Sequence, residues 1–126
     1  MQRIRIQRVR PNAIVPTYST PESVGFDLVA CETVEVSAHA VAKVPLGWKM
    51  EVPVGFQLEI RPHPQTTLTT DFLVVADVIG AEYHDEVCAI VRNECNSSST
   101  VCEGARIAQG VLMPVIPVSF RICELV

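Results

Sequence analysis

"VPLGWKMEVPVGFQLEIRP", residues 44–62, decides the fold. Within it "WKMEV" sets Trp48, Met50 and Val52 on one side of an extended chain, and "FQLEI" does the same for Phe56, Leu58 and Ile60. An apolar residue at every second position marks a half-buried strand, because successive side chains of a strand point to opposite faces. "RIRI" near the start and "TVEVS" at 33–37 alternate in the same way. "VCAIV" (87–91) and "VLMPVIPV" (111–118) are nearly continuous apolar runs, which predicts strands covered on both faces or buried at a subunit interface. No window of 11 or more residues keeps a helical period. Nine prolines, from Pro11 to Pro117, interrupt helices and strand centres alike, and Gly47, Gly55, Gly104 and Gly110 are expected at turns or bulges. Many short strands with frequent turn signals predict an all-β sandwich or barrel.

With 126 residues the chain is expected to form a single domain, residues 1–126, that buries its own core. No apolar run approaches the ~20 residues of a membrane span, and "MQRIRIQRVR" has no apolar signal-peptide core. The expectation is a soluble cytoplasmic protein, of a cell or delivered there by a virus, without a membrane partner. The net charge is −4, yet four of the ten basic residues (Arg3, Arg5, Arg8 and Arg10) fall in the first ten positions. Such an arm can meet phosphates. It carries no aromatic for base stacking, so it reads as a charged edge strand, and a nucleic-acid partner is not expected.

Cys31, Cys88, Cys95, Cys102 and Cys123 are odd in number and contain no CxxC pair, which argues against a zinc knuckle or a disulfide framework. Cys95 and Cys102 bracket a polar turn. They are either free thiols or a bridge across a hairpin, free thiols being the expectation in a reducing compartment. Asn96-Ser97-Ser98 fits a glycosylation sequon but reads as a turn.

Four stretches stand in order: "PESVGFDLVA" (21–30), the quoted 44–62, "DVIGAEYHDEV" (77–87) followed by "IVRN" (90–93), and "EGARIAQGVLMPV" (103–115). Together they resemble the trimeric dUTPase family over most of the chain. The resemblance implies a small jelly-roll subunit in a threefold homotrimer with sites between subunits. There a deoxyuridine nucleotide is held with Mg²⁺ and split between its α- and β-phosphates. Residue by residue, it implies that Asp27 in "GFDL" is the carboxylate near metal-bound waters and that Tyr83 packs against the deoxyribose. Phe26 and Ile79 support the pocket. Gln109 in "RIAQ" reaches a phosphate or base, and Arg61 in "IRP" ends the strand pair that precedes the family's Arg-Ser-Gly.

The chemistry departs from the family pattern. The family's Arg-Ser-Gly falls on His63-Pro64-Gln65, which removes the serine hydroxyl and one backbone N–H. Pairing it with Arg61-Pro62-His63 instead also loses the serine. The family's water-orienting aspartate falls on Gly80, with Asp77 and Glu82 two or three residues away, and Ala105 replaces the fourth motif's aspartate. The sequence printed ends at "SFRICELV", without the family's Gly-rich arm. The leading expectation is therefore a trimer of dUTPase fold that no longer hydrolyses dUTP. It would act as a binding or regulatory protein for a protein partner or a weakly held nucleotide, with no catalytic residue and no metal or other cofactor. Asp27, Arg61, Ile79, Tyr83 and Gln109 would remain as a vestigial nucleotide site, with dUMP and dUTP binding about equally weakly. The alternative is a divergent, Mg²⁺-dependent phosphohydrolase with a site rebuilt from His63, His84, Asp77, Asp85 or Glu82. His63 and His84 are expected at the surface, since no ligand spacing supports them as metal ligands.

Overall fold

A computed structural model describes residues 1–126. Ten strands and one short helix follow in the order β1 (Arg5–Arg8), β2 (Phe26–Val29), β3 (Val34–Val36), β4 (Val41–Glu51), β5 (Phe56–Pro62), α1 (Pro64–Thr69), β6 (Phe72–Val75), β7 (Asp77–Ile79), β8 (Glu86–Asn93), β9 (Ser99–Val101) and β10 (Arg106–Pro114). They make two four-stranded antiparallel sheets, ordered β1-β4-β8-β6 and β2-β10-β5-β7, and a two-stranded β3-β9 ribbon. The inner faces of the two large sheets bury the alternating residues that the sequence singles out: Trp48, Met50, Leu58 and Ile60, with Leu28, Val44, Val87 and Val91. Burying such side chains contributes roughly 1.5–3 kcal/mol each, which makes this layer the main source of stability.

Three expectations change. Within one protomer "VCAIV" is covered on one face only: Val87, Ala89 and Val91 are buried, while Cys88 and Ile90 are half-buried on the outer face, the face that burial at a subunit interface would use. Two apolar outward residues hide the alternation. Strand β10 stops at Pro114, and Ile116 and Val118 beyond it are exposed. Gly110 marks neither a turn nor a bulge. It lies inside β10, where a Cβ would come within 2.4 Å of the Phe26 ring.

The loop after β5 also holds a helical turn and a half. His63 is its N-cap, accepting from the Gln65 N–H through Nδ1 at 3.2 Å, and Pro64 follows in the first turn. A proline's fixed φ suits that position, where its missing N–H costs nothing. Thr66 Oγ1 donates to the carbonyls of Arg106 and Ile107 and so ties the helix to β10.

The basic first strand is an edge strand, and its cations are used at home. Arg5 pairs with Glu51, Arg10 with Glu32 and Glu86, and the Arg8 guanidinium lies 4.6 Å over the Trp48 ring. All five cysteines are free thiols. No helix is long and apolar enough to cross a membrane.

Candidate functional site

Strand β10 lies between β2 and β5, and its register fixes the first cluster. Gln109 stands opposite Asp27 on one side and Arg61 on the other. Three residues of the expected nucleotide site therefore form one row across the sheet. Asp27 is only 6% exposed, and charge held at such burial needs donors. Two supply it. His63 Nε2 lies 3.2 Å from Asp27 Oδ1, and Arg106 Nη1 lies 3.4 Å from Oδ2. Because His63 Nδ1 is the acceptor of the helix cap, its Nε2 carries the proton and donates to Asp27. Gln109 Nε2 donates to the Pro62 carbonyl at 3.2 Å, and Arg61 reaches the Glu59 carboxylate at 2.8 Å.

His63 is not the surface residue expected. Its side chain is 15% exposed and joins the helix cap to the buried carboxylate. His84 is exposed, as expected. The "HP" pair carried a usable signal, since a side-chain acceptor followed by proline starts helices. Replacing His63 with alanine removes both the cap and one donor to Asp27. A loss of roughly 0.5–2 kcal/mol is expected, with His63→Asn losing less because it keeps a capping acceptor. Urea midpoints of the two variants check this.

The remaining two residues lie elsewhere. Ile79 is buried on β7 against Leu58. Tyr83 packs against the core and donates from its hydroxyl to the Glu86 carbonyl at 2.9 Å. Burial, and then the charge of Asp85, push its phenol above the ordinary value. It borders an open cleft of about 430 Å³ with His84, Arg5, Lys49 and Glu51. A second cleft, of about 550 Å³, lies beside α1 and is lined by His63, Gln65, Phe72, Cys102 and Arg106. Gly80 follows Ile79, which pairs with Leu58, so it continues β7 past that level of β5. Between Leu58's neighbour Gln57 and Arg61, β5 rises about 13 Å at ~3.3 Å per residue. One copy of the chain thus holds the Asp27–Gln109–Arg61 row and the Gly80 turn well apart.

The Gly80 turn does carry a carboxylate. The Tyr83 N–H donates to the Gly80 carbonyl at 3.2 Å, reversing the chain, and Glu82 folds back over the glycine. A Cβ at position 80 would lie 2.5 Å from Glu82 Oε2 and 2.8 Å from Oε1. Glu82 stands two residues on in the sequence, but the turn and the longer side chain together cover the gap. Asp77 is less available, since its Oδ1 accepts from the Val78 N–H at 2.8 Å. Nowhere do three or more His, Cys, Asp or Glu side chains converge as a metal-ligand set.

The dUTPase family model matches residues 11–124. A deoxyuridine 5'-triphosphate nucleotidohydrolase of Helicobacter pylori strain P12 is 34% identical over 124 residues, covering 97% of this chain and 86% of its own. The protein of that name from Picosynechococcus is 33% identical over 123 residues, covering 96% and 87%. Among solved structures, a mutant dUTPase of Staphylococcus bacteriophage 80alpha with dUpNHpp superposes with a TM-score of 0.90 at 17% identity, covering 100% of this chain and 99% of that one. The dUTPase of S. aureus phage phi11 gives 0.89 at 16% identity, covering 99% and 98%. The two packed four-stranded sheets are thus a fold that those dUTPases share, and the family model covers nearly the whole length: the chain belongs to the dUTPase family.

Proposed function

We propose that this chain is a deoxyuridine nucleotide phosphohydrolase of the dUTPase kind, working as a homotrimer with a partly rebuilt site. The observation that carries the reading is the Asp27–Gln109–Arg61 row, kept in a chain 34% identical to a named nucleotidohydrolase. Arg61 offers a cation and Gln109 an amide to phosphate oxygens. Asp27, with His63 and Arg106 on its two oxygens, fixes the floor between them. Tyr83 offers a ring face to a deoxyribose, and Ile79 supports the turn that presents it. No set of side chains makes a protein-only Mg²⁺ cage. The cation would enter with the triphosphate, as Mg²⁺ commonly does.

Two observations support assembly from several copies. The row and the Gly80 turn are too far apart in one protomer to serve a single phosphate. Beyond β10, Ile116, Val118, Phe120 and Ile122 alternate along an exposed segment, a strand pattern without a sheet. Light scattering should report three times the 13.8 kDa protomer. A species at the protomer mass at micromolar concentration contradicts the assembly.

A second reading, a binding protein without turnover, is favoured by Pro64, which leaves the phosphate loop one donor short, and by an Asp27 already satisfied within the chain. The deciding experiment incubates the protein with each deoxynucleoside triphosphate and Mg²⁺ and follows pyrophosphate. Release from dUTP above the other nucleotides is expected. No release from any of them leaves the second reading standing.

A further inference from the structure

We infer that Glu82 supplies the water-activating carboxylate that position 80 lacks. This rests on the hydrolase reading above. An aspartate holds its carboxylate oxygens about 2.4 Å from its own Cβ, as C–C and C–O bond lengths require. The Glu82 oxygens lie 2.5 and 2.8 Å from where the Cβ of residue 80 would be. They therefore occupy the distance shell in which an aspartate at 80 would carry its own. Two features bring them there: the 80–83 turn, closed by the Tyr83 N–H on the Gly80 carbonyl, and the extra methylene of glutamate. Glycine at 80 leaves this space to the Glu82 carboxylate, which a Cβ there would displace. Glu82 is exposed, so its carboxylate can face a nucleotide.

The step balances as a hydrolysis. A water oxygen forms a bond to the α-phosphorus while Glu82 takes the water's proton. The bond from that phosphorus to the oxygen bridging to the β-phosphate breaks, and pyrophosphate leaves with the electron pair. The proton passes from Glu82 to solvent. Given the separation along β5, the Glu82 that acts on a nucleotide belongs to a different copy from the Asp27–Gln109–Arg61 row that holds it.

The test uses the full chain as wild type, Glu82→Gln and the transposed variant Gly80→Asp with Glu82→Ala, in which the shortened residue 82 clears the space a Cβ at 80 needs. Rates of pyrophosphate release from dUTP are measured against pH, and affinity is measured for dUpNHpp. Removing a general base is expected to lower kcat by about 10²- to 10⁴-fold. The acid limb of the kcat/KM profile should disappear, and dUpNHpp should bind within about threefold of wild type, since a base acts on the water and not on the bound nucleotide. The transposed variant should regain at least about tenfold over Glu82→Gln, because its aspartate starts from the position the glutamate now overlies. A Glu82→Gln rate close to wild type overturns the inference and leaves the hydrolase reading intact. Parallel loss of dUpNHpp affinity, or no recovery on transposition, also overturns it, by assigning Glu82 to structure. A wild type that releases no pyrophosphate overturns both.

Discussion

Asn93→Leu is expected to leave much of the chain unfolded under conditions in which the wild type is folded. Asn93 is 0% exposed at the end of β8, and its side chain is saturated. Nδ2 donates to the carbonyls of Val36, Ser37 and Ser97, and Oδ1 accepts from the Cys95 N–H at 2.9 Å. These bonds fasten β8 to β3 and to the turn before β9. Leucine keeps the branching but not the amide: the Ser37 carbonyl keeps its bond from the Ala40 N–H, while Val36, Ser97 and Cys95 lose their side-chain partner. An unpaired buried group costs roughly 1–3 kcal/mol, and with the bulkier leucine in a fully buried place the loss is about 3 kcal/mol or more, a large part of the roughly 5–15 kcal/mol of a typical domain. Urea unfolding followed by Trp48 fluorescence should show a midpoint lower by about 2 M or more. A shift below about 0.5 M would mean that water reaches these groups.

Gly47→Val should be nearly as damaging, for a different reason. Gly47 has φ +86° and sits where the β4–β8 register slips between Pro45 and Trp48. A branched side chain in that left-handed region costs upwards of ~1–2 kcal/mol. A Cβ there would also lie 2.4 Å from the Ala13 Cβ and 3.2 Å from the Cys31 Sγ, both buried. Overpacking of this kind adds about 1–3 kcal/mol. Since Gly47 also accepts from the Val9 N–H at 2.8 Å, the strain falls on the segment that leads from β1 across Trp48. The thermal midpoint should drop by roughly 10–20 °C.

The strands were legible where one face is apolar and the other is not. Trp48 and Met50 on β4, and Leu58 and Ile60 on β5, announce their burial through period two alone. On β8 the outward Cys88 and Ile90 are apolar as well, so the run looks doubly buried when within one protomer only one face is. Helix α1 escapes any window long enough to show a helical period, because it has six residues. Its start was written in His63-Pro64, the same residues that read as damage to a phosphate loop. Asp27, Arg61 and Gln109 could be named from the motifs, and the sheet register brings them together. Two other features lay beyond sequence reading. The His63–Asp27 contact depends on α1 docking against β10, and the reach of Glu82 depends on a turn whose tightness no residue type dictates.

The proposed site is shared between copies, with the Asp27–Gln109–Arg61 row from one and Glu82 from another. Subunit mixing tests this most directly. Glu82→Gln and Gln109→Ala protomers, each inactive alone, are unfolded together in equal amounts and refolded, and pyrophosphate release from dUTP is measured. In randomly mixed closed oligomers about one quarter of the shared sites pair an intact row with an intact Glu82, so activity should rise to about one quarter of the wild-type value. A mixture no more active than its two parents would contradict the shared site.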